Sequence, residues 1–303
     1  MSYAVLFSGQ GTQHPGMLPW LESTPASQPA LQVMQAVLGE DWRSGLEHVH
    51  MRSSNAFAQP LIVGTALAAW AALAAQLPES PAVVAGYSVG ELASYAAAGV
   101  FSASAAIRLA VQRAAQMDAA VAGLDTGLLS VSGVSTEQVL QSCADLQCAI
   151  HMAAEQGIYA GQCTALEAAS ERLTGKGAVC KLLEVRVASH SRWMERAAKG
   201  FSDDLAQQTF ARPQAPLVLN ATGASSRDLQ TLRAALSAQI DHTVQWSACL
   251  DAVAEQGVAC VLEVGAGSTL SKMWNQRHPA IPARSVSEFR DAAGVARWLQ
   301  RQA

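Results

Sequence analysis

The stretch "VVAGYSVGELASY" (residues 83–95) places Ser88 within Gly-Tyr-Ser-Val-Gly, between an apolar run and an alanine-rich helical pattern. Strand, sharp turn and helix in that order make a nucleophile elbow. Such a turn holds a serine hydroxyl clear of the sheet at a helix N-terminus, where free N–H groups and the helix dipole favour developing negative charge. Gly86 and Gly90 permit the tight turn and a close strand–helix approach.

A serine nucleophile needs a base. The histidines are His14, His48, His50, His151, His190, His242 and His278. His190, in "VASHSRW", sits where a compact middle unit hands the chain back to the larger one, and such junctions form clefts. His278 is its equal on spacing, because Ser88, Glu263 and His278 follow the hydrolase order of nucleophile, acid, then histidine. A (thio)esterase is therefore one reading.

Two further features offer chemistry. The glycine loop "SGQGTQ" after the first apolar run could face the elbow, and the amides of Gln10 and Val89 would then form an oxyanion hole. Arg113, on the helical pattern "AAIRLAVQRAAQM", either grips a carboxylate in two parallel hydrogen bonds or is a solvated helix-face cation.

The elements that must position these residues alternate between strand and helix. "YAVLF", "AVVAGYS", "PLVLNATG" and "ACVLEV" read as strands, with helical patterns from Met17, over 56–77 and 105–117, and late in the chain. That alternation implies an α/β fold with a largely parallel sheet covered on both faces. Between Gly123 and Val187 the pattern changes to "LLSVSG", "STEQVLQSCA", "QCAIHMAA", "GIYAG", "CTALEAASERLTGKG" and "VCKLLEV". This β-α-β-β-α-β order is the ferredoxin-like unit, with a glycine turn expected between its middle strands. The expected division is residues 1–122 and 190–303 for the large domain, and 123–189 for the insertion.

Composition narrows the class. A chain of 303 residues, 50% hydrophobic, can bury a large core, and a net charge of −4 gives no clustered basic face for nucleic acid. The six cysteines form no C-x-x-C pair and keep no ligand-like company, so reduced thiols, no metal site and a cytoplasmic location are expected. "AFAQPLIVGTALAAWAALAAQL" (residues 56–77) is uncharged and long enough to span a bilayer, yet is alanine-rich and flanked by α/β pattern. It reads as a buried core helix, with no membrane partner.

Taken together, "FSGQGTQ", Gln59-Pro60, "GYSVGE", "VQRAAQM", "VASHS", "QIDHTVQW" and "LEVGAGSTL" resemble, in order and rough spacing, the malonyl-CoA:acyl-carrier-protein transacylases. The resemblance covers nearly the whole chain. It implies an α/β-hydrolase-like large domain with a ferredoxin-like insertion, Ser88 as nucleophile and His190 as base. It further implies oxyanion amides at Gln10 and Val89, and Arg113 on the malonyl carboxylate. The Gln239 main-chain carbonyl would orient the histidine, and Gln59 would line the acyl pocket. No permanent cofactor is implied. Malonyl-CoA is the expected donor, and a phosphopantetheine-type thiol on an acyl carrier protein the expected acceptor.

The departures are Tyr87 where the family has histidine, Ser8 and Ala266 where it has proline, and Ile150-His151-Met152 where paired asparagines are common. With Tyr87, "GQGTQHPGML" is similar to the epsilon subunit of malonate decarboxylase. The chain is therefore expected to charge that enzyme's carrier subunit, with other decarboxylase subunits as partners. The alternatives are the transacylase of fatty-acid or polyketide synthesis and a non-catalytic carrier-docking subunit. Lys181, Arg192 and Arg196 are candidate carrier contacts.

Overall fold

Two sheets organise the chain, seen in a computed structural model that describes residues 2–77, 79–185 and 187–302. The larger sheet is built from β1 (Tyr3–Phe7), β2 (Val83–Gly86), β7 (Leu217–Val218), β8 (Ser225–Ser226), β9 (Cys260–Val264) and β10 (Ala283–Ser285), in the order β10-β9-β1-β2-β7-β8. All pairs are parallel except β7 with β8. β1, β2 and β9 are buried at every position, so they read as continuous apolar runs rather than alternating ones.

The smaller sheet comprises β3 (Thr126–Ser132), β4 (Gln147–Ala153), β5 (Gln156–Gln162) and β6 (Val179–Leu182) in the order β4-β5-β3-β6, antiparallel throughout. Helices Thr136–Ser142 and Cys163–Thr174 complete the β-α-β-β-α-β unit. Ser135 and Gln138 close a capping box on the first of these. The fold is thus the mixed α/β arrangement expected, a large parallel sheet joined to a ferredoxin-like small one. The two are stitched along one edge: the His151 N–H donates to the Val244 carbonyl and the Val244 N–H to the Ala149 carbonyl, both at 2.9 Å.

The uncharged helix Asn55–Ala74 is long and apolar enough to cross a membrane, but most of it is buried inside the protein. It packs against helix Ala103–Ala120, which carries Arg113, and helix Gly90–Ala97, which follows the elbow.

Three local expectations shift. The helix expected from Met17 begins only at Gln28, because Leu18 takes a left-handed φ of 44° and Pro19 follows it. The turn between β4 and β5 falls at Ala154-Glu155, and Gly157 lies inside β5 against the Tyr159 ring. In "PLVLNATG" only Leu217–Val218 is strand; the chain turns at once, with the Gly223 N–H returning to the Leu219 carbonyl.

Candidate active site

The elbow forms because β2 ends directly beneath the helix Gly90–Ala97. A Cβ on Gly86 would meet the Gly90 carbonyl oxygen at 2.1 Å, and one on Gly90 would meet that of Phe7 at 2.5 Å. Only glycine fits either position. Ser88 itself has φ 53°, and His190 has φ 60°. Leu18 is the one other described non-glycine residue with positive φ. Two of the three strained positions are therefore the proposed nucleophile and base, at about 1–3 kcal/mol each.

These two residues meet although 102 positions separate them. Ser88 Oγ lies 2.8 Å from His190 Nε2. His190 Nδ1 lies 2.6 Å from the Gln239 main-chain carbonyl, which can only accept, so Nδ1 carries the proton and Nε2 is left to accept from the serine hydroxyl. Burial, reinforced by the nearby Arg113 cation and opposed by the Gln239 carbonyl, lowers His190 to about 3. The imidazole is neutral at physiological pH and ready to act as a base.

Ser88 and His190 open onto a cleft of about 90 Å3, small enough to favour a short acyl group. Gln10, Gln59, Tyr87, Val89 and Arg113 line it as well. Gln10 lies on the loop after β1, and Val89 is the N-cap of the elbow helix, whose first N–H groups, those of Gly90, Glu91 and Leu92, are taken by the carbonyls of Tyr87, Ser88 and Val89. Tyr87 packs edge-on against Trp246 at 4.9 Å, and burial raises its hydroxyl. It forms part of the wall of the cleft.

Arg113 is only 2% exposed. Its hydrogen-bond partners are amides: Nη1 donates to Gln59 Oε1 and Nη2 to Gln239 Oε1, each at 2.8 Å. Burial lowers it to about 10, so it stays cationic at neutral pH. A buried guanidinium held by neutral amides, with further N–H donors to spare, is prepared for an anion.

The rival triad is not assembled. Glu263 accepts from Ser8 Oγ and from the N–H groups of Leu270 and Ser271, so it anchors the helix Thr269–Arg277. His278 lies tilted against Trp274 and faces Asp251 at 3.2 Å, outside the cleft.

Sequence reasoning missed two residues behind the elbow. Asn220 Oδ1 accepts from the Ser88 N–H at 2.9 Å while its Nδ2 donates to the Gly86 carbonyl at 2.6 Å. Glu91, fully buried, accepts from the Asn220 N–H at 2.9 Å and from Gln239 Nε2 at 2.8 Å. "GYSVGE" contains Glu91, but nothing in the sequence indicates what it meets. Of the candidate carrier contacts, Lys181 lines a groove that shares Gln10, Leu183 and Val185 with the cleft. Arg192 covers the Trp193 ring, and Arg196 is exposed on the helix Glu195–Ala206.

Comparison with known proteins agrees along the whole chain. The acyl transferase domain family matches residues 5–301. The malonyl CoA-acyl carrier protein transacylase of Mycobacterium bovis is 35% identical over 95% of this chain and 97% of its own. The crystal structure of the Mycobacterium tuberculosis enzyme superposes with a TM-score of 0.89 at 32% identity, covering 98% of this chain and 100% of that one. A malonyl-transacylase in complex with its type II polyketide-synthase acyl-carrier protein superposes with a TM-score of 0.91 at 26% identity, covering 99% and 100%.

Proposed function

Because the chain belongs to the malonyl-CoA:acyl-carrier-protein transacylase family, we propose that it moves a malonyl group from malonyl-CoA to a carrier thiol through a malonyl-Ser88 ester. The observation that carries this reading is Arg113, a buried cation held by amides in the same cleft as the Ser88–His190 pair.

His190 Nε2 takes the Ser88 hydroxyl proton as Oγ attacks the thioester carbon. Negative charge on the former carbonyl oxygen is met by the Gln10 and Val89 N–H groups, a kind of contribution worth about 3–4 kcal/mol. The C–S bond breaks, and the departing CoA sulfur takes the proton from His190. Malonyl-Ser88 remains, with its carboxylate on Arg113 and its chain beside Gln59. In the second half the carrier's phosphopantetheine thiol gives its proton to His190 and attacks the ester. Ser88 Oγ leaves and is reprotonated. A carbonyl in place of a triad acid suffices here, because the attacking thiol is already a good nucleophile.

The named relatives favour the acyl carrier protein of fatty-acid or polyketide synthesis over the decarboxylase carrier read from Tyr87. Tyr87 has a packing role against Trp246, which gives no ground for a particular carrier. The 2.8 Å serine–histidine contact favours catalysis over a docking-only subunit. A cytoplasmic location fits this substrate pair.

The test is labelling. Radioactive malonyl-CoA should leave acid-stable label on the wild-type protein, which then passes to a holo carrier. Ser88→Ala should take up none, since loss of the nucleophile removes roughly 10⁴- to 10⁶-fold of the rate. Retained label in Ser88→Ala, or no label on the wild type, would defeat the proposal.

A further inference from the structure

Glu91 is a buried carboxylate for which the acyl-transfer steps have no use. It sits in the first turn of the elbow helix, is fully buried, and does not line the cleft. Yet it is the point where three parts of the site are tied together. Oε1 accepts from the Asn220 N–H, and the Asn220 side chain clamps the Ser88 N–H and the Gly86 carbonyl on either side of the strained turn. Oε2 accepts from Gln239 Nε2, which also donates to the Ser88 carbonyl at 2.6 Å. The same Gln239 side chain accepts from Arg113 through Oε1, and its main-chain carbonyl holds His190 Nδ1.

The residue types in this chain are dictated by donor and acceptor count. Arg113 can only donate, so the Gln239 amide must turn its oxygen toward it. Its nitrogen then points away and needs acceptors, which the Ser88 carbonyl and Glu91 supply. At Glu91 both incoming partners are N–H donors, so both oxygens must accept. A glutamine there would set its own NH2 against one of them. Burial pushes the Glu91 carboxyl up to about 8, although the Asn220 and Gln239 donors and the Arg113 cation pull it back toward the acceptor-only carboxylate that this pattern calls for.

We propose that Glu91 is a positioning residue which, through the Gln239 side chain, couples recognition of the acyl carboxylate at Arg113 to the alignment of Ser88 and His190. This rests on the malonyl-transfer reading above. An acyl carboxylate that draws on Arg113 pulls on the amide whose other end holds the Ser88 main chain and whose backbone holds the histidine. Charge recognition then acts on the acylation rate as well as on binding, because the network is one connected unit rather than separate contacts.

A double-mutant cycle separates this from a purely structural role. Single-turnover acylation rates and KM values are measured with malonyl-CoA and with acetyl-CoA for wild type, Glu91→Gln, Arg113→Ala and the double variant. Coupling predicts that Glu91→Gln lowers malonyl acylation tenfold or more and acetyl acylation less, so the malonyl:acetyl rate ratio falls. In the Arg113→Ala background the same change should leave that ratio where it was. Equal falls for both acyl groups, or a ratio effect undiminished without Arg113, would overturn the proposal. Gln239→Met, which keeps the main-chain carbonyl, runs the same cycle if Glu91→Gln does not fold. A wild-type protein that forms no malonyl-enzyme would instead defeat the functional reading and leave the cycle without a substrate.

Discussion

The cleft has two unlike walls. The side built on the large sheet carries the groups proposed to react or bind charge, among them Gln10, Gln59, Ser88, Val89, Arg113 and His190. The small sheet and the irregular segment leaving it contribute Leu128, Ile150, Ile158, Leu183 and Val185, all apolar. The first wall is strained and cross-braced, with left-handed backbone at Ser88 and His190 held by Asn220, Glu91 and Gln239. The second has no left-handed non-glycine backbone among its described residues and is bonded mainly to itself through antiparallel ladders, with register shifts in β4 on either side of Ile150-His151. The difference teaches a division of labour. Reactivity needs geometry that only long-range bracing maintains, whereas keeping water from an acyl ester needs only a fitted apolar surface.

Removing a group from the reactive wall should cost most. His190→Ala is expected to lower the acylation rate about 10²- to 10⁴-fold while leaving malonyl-CoA affinity near the wild-type value, read by single-turnover kinetics. A change in affinity alone would move the histidine out of the chemistry. On the apolar wall, Ile158→Ser should leave acylation largely intact and speed loss of the malonyl group to water by roughly tenfold, about 1.4 kcal/mol. Release of label in the absence of any carrier measures this. If hydrolysis does not rise while acylation falls, the two walls are not divided as described. The smallest effect is an expected flat line. With His190 lowered to about 3, kcat/KM for malonyl-CoA should show no inflection near the ordinary histidine value of about 6.5. An inflection there that vanishes in His190→Ala would contradict the buried, neutral base.

The two walls also differ in how far the sequence exposes them. The ferredoxin-like unit is local, since its strands, capped helix and hairpin follow one another; only details shift, the turn falling at Ala154-Glu155 and the last strand of "VCKLLEV" stopping at Leu182. The elbow was equally plain, because Gly86, Ser88 and Gly90 are neighbours and each does its work within one turn. The base was not: spacing left His190 and His278 level, and only the resemblance separated them before the 2.8 Å contact did. Arg113 likewise read as either a carboxylate grip or a solvated helix-face cation, and its burial against Gln59 and Gln239 depends on residues far apart in the chain. Asn220 and Glu91 were invisible, since a hydrogen bond spanning 129 positions leaves no periodicity to read. Local order is written in local pattern; bracing is written in pairs that only the fold brings together.

The most direct test of the central claim is acyl choice at Ser88. Wild type and Arg113→Ala are each given equal malonyl-CoA and acetyl-CoA, and the ester on the serine is identified by intact-protein mass spectrometry. The account predicts malonyl on the wild type and a malonyl:acetyl ratio lower by about 10²-fold in Arg113→Ala, the scale of losing a charge-assisted, buried contact. An unchanged ratio in Arg113→Ala would contradict it.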